Sequence, residues 1–171
     1  MDFIVTNSIE LKNAIENASA GDTVLLAASA EPYDIRIQED LGLTSELTFK
    51  SLDPEQPATV STLFLQNTSN LVFDGLVFDS STVADTRADW LDDIFVVGSS
   101  NVTIRNSEMI GNADSSSDDH VLMGTVRESE GFVFENNKVS GYDTGLFVRN
   151  TTDVEIVGNE FSDLQRDGLN L

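Results

Sequence analysis

The residues best suited to chemistry stand in the second half of the chain. His120, the single histidine, is set in "SSSDDHVLMG" beside Asp118 and Asp119. Flanking carboxylates favour the charged imidazole, which makes His120 a candidate acid or base near neutral pH with Asp119 beside it. A loop histidine merely exposed to water is the alternative. Asp92, Asp119 and Asp167 each stand just ahead of a strand-like segment and so fall in one column. With Asp85, Asp89, Asp114, Asp118 and Asp143 they make one side dense in carboxylate, and such hard oxygen ligands could hold Ca²⁺. A solvated acidic edge is the plainer reading, because no EF-hand or nonapeptide calcium repeat is present, and Asp167-Gly168 also fits ordinary turn chemistry. Arg149, in "LFVRN", is a cation able to meet a carboxylate, or an ordinary exposed basic residue.

The elements that position these residues repeat along the chain. "LVFDGLVF" from Leu71 returns as "VTIRNSEM" from Val102, "FVFENNKV" from Phe132 and "VEIVGNEF" from Val154. In each copy two apolar residues flank one outward position (Leu71 and Phe73, Val102 and Ile104, Phe132 and Phe134, Val154 and Ile156), the period-two mark of a strand with one buried face. The corner residue that follows is Gly75, Asn106, Asn136 or Gly158, the two types that enter the left-handed region most readily. Phe78, Met109, Val139 and Phe161 then point inward again. The shortest spacing, Phe132 to Val154, is 22 residues. A unit of that size cannot bury its apolar face alone, so the rungs must stack as a solenoid.

A further strand precedes each pair: "LFLQNTSN" from Leu63, "IFVVGSSN" from Ile94, "LFVRNTTD" from Leu146, and "VLMGTVRESEG" from Val121 as a copy lengthened in its turn. With Leu63, Leu65, Ile94, Val96, Leu146 and Val148 inward, Phe64, Gln66, Phe95, Val97, Phe147 and Arg149 point outward. The phenylalanines then form an exposed apolar stripe of the kind that marks a binding surface, unless a twist or bulge turns them into the core. Arg105, on another outer face, is placed to pair with Glu135 on the next rung. At the start, Asn7 and Glu10 are spaced as a capping box, while Leu11, Ala14, Ile15 and Ala18 share a helical face. This predicts a capping helix over 7–20, ended by Gly21, and rungs over 22–171.

Composition sets bounds on function. In 171 residues with 40% hydrophobic content the chain buries one core, and five to six rungs of a single all-β domain fit that length. Thirty acidic against nine basic residues give a net charge of −21, which repels nucleic acid and anionic membranes and attracts cations. No apolar run reaches the roughly 20 residues of a membrane span, and a basic start with an apolar stretch is lacking. Cysteine is absent, which removes disulfides and thiolate metal sites. Acidic, cysteine-free chains of this kind are similar to proteins exported without a Sec signal, which predicts an extracellular location, with the cytoplasm as the alternative. The chain stops inside a strand, which predicts further rungs beyond Leu171 and a protein truncated here at its C-terminus.

The repeat, its Asn/Gly corner and the amphipathic helix before "GDTVLL" resemble the right-handed parallel β-helix of pectate-lyase-like proteins. That resemblance implies that the longer turns ahead of Ile94 and Val121, at 79–93 and 112–120, wall a groove in which Phe64, Phe95, Phe147 and Gln66 contact sugar. It also implies that Arg149 neutralises a uronate carboxylate or takes its α proton. The stretch at His120 resembles the Asp/His active-site segment of mannuronan epimerases, though the tyrosine and proline of that motif are missing. Two functions follow from the resemblance. One is a secreted carbohydrate-binding or -processing protein, a lyase or epimerase acting on acidic polysaccharide, with Ca²⁺ as its cofactor. The other is a non-catalytic adhesin or surface scaffold.

Overall fold

The computed structural model describes residues 1–79, 92–112 and 122–171. In chain order its elements are β1 (Asp2–Val5), α1 (Ser8–Asn17), β2 (Thr23–Leu26), β3 (Tyr33–Ile37), β4 (Leu47–Ser51), β5 (Thr59–Gln66), β6 (Ser69–Asp74), β7 (Val77–Asp79), β8 (Ile94–Val97), β9 (Ser100–Arg105), β10 (Glu108–Ile110), β11 (Leu122–Arg127), β12 (Glu130–Glu135), β13 (Lys138–Ser140), β14 (Thr144–Arg149), β15 (Glu155–Val157), β16 (Glu160–Ser162) and β17 (Leu169–Asn170). One sheet runs β1-β2-β4-β6-β9-β12-β15, and the other runs β16-β13-β10-β7-β5-β8-β11-β14-β17 with β3 alongside β5. The strand pairs are parallel.

The apolar period sets this register. Phe49, Phe73, Ile104, Phe134 and Ile156 are successive partners in one internal column, and Phe78, Met109, Val139 and Phe161 form another. Inside the first column the rings of Phe49 and Phe73 stack at 5.1 Å. The corners behave as their residue types require: φ is 66° at Gly75, 50° at Asn106, 53° at Asn136 and 67° at Gly158. The preceding turn also uses left-handed residues, three apart, at Asn67 and Asn70, Gly98 and Asn101, Glu128 and Gly131, and Asn150 and Asp153. Buried polar ladders line the corners. Asn137 Oδ1 accepts from Ser107 N at 3.0 Å, and Asn159 Oδ1 accepts from Asn137 N at 2.9 Å, which satisfies amides that the sheets leave unpaired.

The three faces of the coil form two sheets, because β5 pairs through Thr59 and Val60 with β7 and through Leu63 to Gln66 with β8. No turn separates the two halves of β5, so the strand carries hydrogen bonding across the corner. Arg105 pairs with Glu135 of the next rung at 3.9 Å, as expected, and also meets Asp74 of the preceding rung at 3.0 Å. Two expectations are corrected. The helix stops at Asn17, where Ala18 is already extended, and Gly21 lies beyond it in a turn held by Asp22 Oδ2 accepting from Ser19 N at 2.9 Å. In the second case β11 carries Gly124, not Val121, at the position of Ile94 and Leu146. A Cβ at Gly124 would lie 3.1 Å from Ile94 Cβ, so this inward position takes a residue without a side chain.

The helix is the predicted cap. Asn7 Oδ1 accepts from the amides of Ile9 and Glu10, while the Glu10 carboxylate accepts from Thr6 N at 2.7 Å, one residue earlier than in a standard capping box. Leu11 and Ala14 are buried against the end of the core. Tyr33 Oη donates to the carbonyls of Val5 and Ala27, which ties the first turns of chain together.

Candidate functional site

The register places a continuous outward column across β3, β5, β8, β11, β14 and β17: Arg36, Phe64, Phe95, Thr125, Phe147 and Asn170. Beside it runs a second outward column of Gln66, Val97, Arg127 and Arg149. Leu63, Leu65, Ile94, Val96, Leu146 and Val148 on the same strands are buried, so the alternation that turns them inward turns the phenylalanines out. Phe64, Phe95 and Phe147 are all half-buried. The rings of Phe64 and Phe95 lie 5.1 Å apart and 15° from parallel. Thr125 interrupts the stripe, leaving Phe147 two strand spacings, about 10 Å, from Phe95. A recess of about 560 Å³ lies beside Phe147, lined by Arg149, Asn150 and Asn170 among others.

Three of the nine basic residues, Arg36, Arg127 and Arg149, rise from this face of a chain with net charge −21. Arg36 is held by both oxygens of Asp34 at 2.9 Å and sits 5.9 Å from the centre of the Phe64 ring. The Arg127 guanidinium lies 5.1 Å from the centre of the Phe95 ring, a cation–π distance. Arg127 was not among the expected site residues, because beginning the lengthened copy at Val121 puts it out of step. Matching "TVRES" to "FVRNT" through their shared Val-Arg finds the register that pairs Arg127 with Arg149.

At the head of the face, Asp92 is half-buried and hydrogen-bonded to Thr125. Loss of water pushes its carboxyl up to about 6, a rise reinforced by Asp93 and opposed by Thr125 and Arg127. Asp93 is buried and accepts a 2.7 Å bond from the Tyr142 hydroxyl, and buried Asp143 pairs with Arg166 at 3.3 Å. Asp92 and Asp167 do share a column, but Leu122 and Thr144 occupy the two rungs between them. Three strand spacings, about 14 Å, separate the two backbones, whereas a calcium ion reaches its ligands at 2.3–2.6 Å, so one ion does not bridge that pair. Asp119 and His120 lie outside the described residues, as do Asp85, Asp89, Asp114, Asp118 and nearly all of the two proposed groove walls.

Stacked parallel rungs, left-handed corners, a capped first turn and an outward aromatic column define a parallel β-helix with one chemically distinct face. The family model described as "Right handed beta helix region" matches residues 59–171, about two thirds of the chain. The chain belongs to the right-handed β-helix family. No curated protein and no solved structure matches it.

Proposed function

We propose that the outward face bearing Phe64, Phe95 and Phe147 binds a polysaccharide, making this a carbohydrate-binding or -processing β-helix. The observation that carries the reading is the stacked, half-exposed pair Phe64 and Phe95, with Phe147 in the same column. The outer edges of these rings, held at fixed spacing on a rigid sheet, present an apolar strip to the C–H groups of pyranose rings and lose little entropy on binding. Gln66 and Asn170 add amide donors and acceptors at the edges for sugar hydroxyls.

Calorimetric titration of alginate and pectate oligomers tests this. Phe147→Ala and Phe95→Ala should each weaken binding about tenfold, equivalent to ~1.4 kcal/mol, while circular dichroism stays unchanged. Absence of binding, or affinity indifferent to both substitutions, would overturn the apolar strip and favour a non-catalytic scaffold.

A further inference from the structure

β3 pairs with β5 alone, so its other edge is open at the N-terminal end of the coil. Such an edge presents N–H and C=O groups that a further extended segment can pair. The cap does not close it: α1 packs on β1 and β2, and a groove of about 400 Å³ runs between α1 and β3. Its apolar lining comes from both sides, with Leu11 and Ile37 buried and Ile15 and Leu41 partly buried. The helix lines the groove from Ser8 to Glu16. That is about 12 Å at the ~1.5 Å helical rise, the span of about four extended residues at ~3.3 Å each. Two pairs of charges at the rim are matched internally, Lys12 with Glu16 at 3.9 Å and Arg36 with Asp34 at 2.9 Å. Glu39 adds a carboxylate with no ion pair among the described residues, on a chain of net charge −21.

We propose that this groove is a peptide-docking site, in which an extended segment with alternating apolar and basic side chains pairs with the free edge of β3 alongside α1. Strand addition supplies main-chain hydrogen bonds, and the side-chain groove beside the strand supplies selectivity. Successive side chains of an extended segment point to opposite sides. One set rests on the apolar lining of Leu11, Ile15, Ile37 and Leu41, and the other faces solvent and the carboxylates of the rim. Basic side chains suit that second set, because the field of a chain with net charge −21 draws cationic partners in. A second copy of this chain is a poor occupant: α1 bounds the groove, which admits one strand but not a folded edge carrying its own α1, and two such acidic chains repel. The site is separate from the aromatic face, since Phe64, Phe95 and Phe147 do not line it.

The test uses three synthetic peptides followed by fluorescence anisotropy at about 0.15 M salt: Lys-Val-Lys-Val-Lys, the same peptide with every backbone N–H methylated, and Lys-Ser-Lys-Ser-Lys. All three carry the same charge, so wild type should bind the first at least tenfold more tightly than either of the others. Ile15→Trp and Leu41→Trp fill the groove from opposite sides, and each should weaken binding of the first peptide at least tenfold with circular dichroism unchanged. Hydrogen exchange on the wild-type protein reads the site without any substitution: adding the first peptide should slow exchange at amides of β3 and leave β1, the open edge of the other sheet, unaffected. If the three peptides bind alike, charge alone holds them and the site is refuted. It is equally refuted if no peptide binds, if exchange slows at β1 or at β15 to β17 instead of β3, or if the peptide-free protein is a dimer whose β3 amides are already protected.

Discussion

Replacing Asp92 by Asn removes one charge from the head of the sheet, and the structure fixes both the sign and the pH range of the effect. Burial raises this carboxyl to about 6 against an ordinary value of 3.8. The folded state therefore holds a proton that the unfolded chain releases at lower pH, so stability falls as pH rises from about 4 to about 6 and is level on either side. The gap of roughly two pKa units sets a ceiling of about 3 kcal/mol at 1.36 kcal/mol per unit, and screening at a partly exposed group brings this to about 1–2 kcal/mol. Asn keeps an oxygen for the Thr125 hydroxyl but has no proton to lose. Urea unfolding of both proteins at pH 4, 6 and 8 should show Asp92→Asn more stable than wild type by about 1–2 kcal/mol at pH 8 and equal to it near pH 4. Comparing the two at each pH cancels the titration of the other carboxylates. A difference that does not change with pH, or a variant weaker at pH 8, would refute the assignment.

Two predictions concern the scaffold that holds the face. Gly158→Val places a branched residue at φ 67° with its Cβ 2.4 Å from Asn136 Oδ1, so it should lower stability by about 1–3 kcal/mol in denaturant unfolding; an unchanged midpoint would contradict the corner geometry. Gly124→Val adds a side chain facing Ile94 and Leu146 in a filled column and should cost a similar ~1–3 kcal/mol, measured as a lower thermal midpoint. A neutral effect there would mean that β11 is out of register.

What could be read in advance follows from which residues carry a period. Phe73, Ile104, Phe134 and Ile156 recur with corners that only Gly or Asn suits well, so the internal columns and the left-handed turns were legible from sequence alone. The parity of Phe64, Phe95 and Phe147 was legible for the same reason, since their neighbours Leu63, Ile94 and Leu146 are apolar and aligned. The period failed at β11. There Gly124, which reads as a turn residue, fills an inward slot, and Val121 imitates the first strand position. That slip hid Arg127, and it placed Asp119 in a column whose rung position belongs to Leu122. The continuity of β5 across a corner has no residue signature at all, because it depends on the absence of a turn between Val60 and Leu63.

The aromatic face is the centre of this account, and a crystal structure of the protein with a bound oligouronate tests it most directly. Sugar rings should pack along the column of Phe64, Phe95 and Phe147, in contact with Phe95 and Phe147. Oligosaccharide seated on the seven-stranded sheet, or found on this sheet without contact to either phenylalanine, would contradict it.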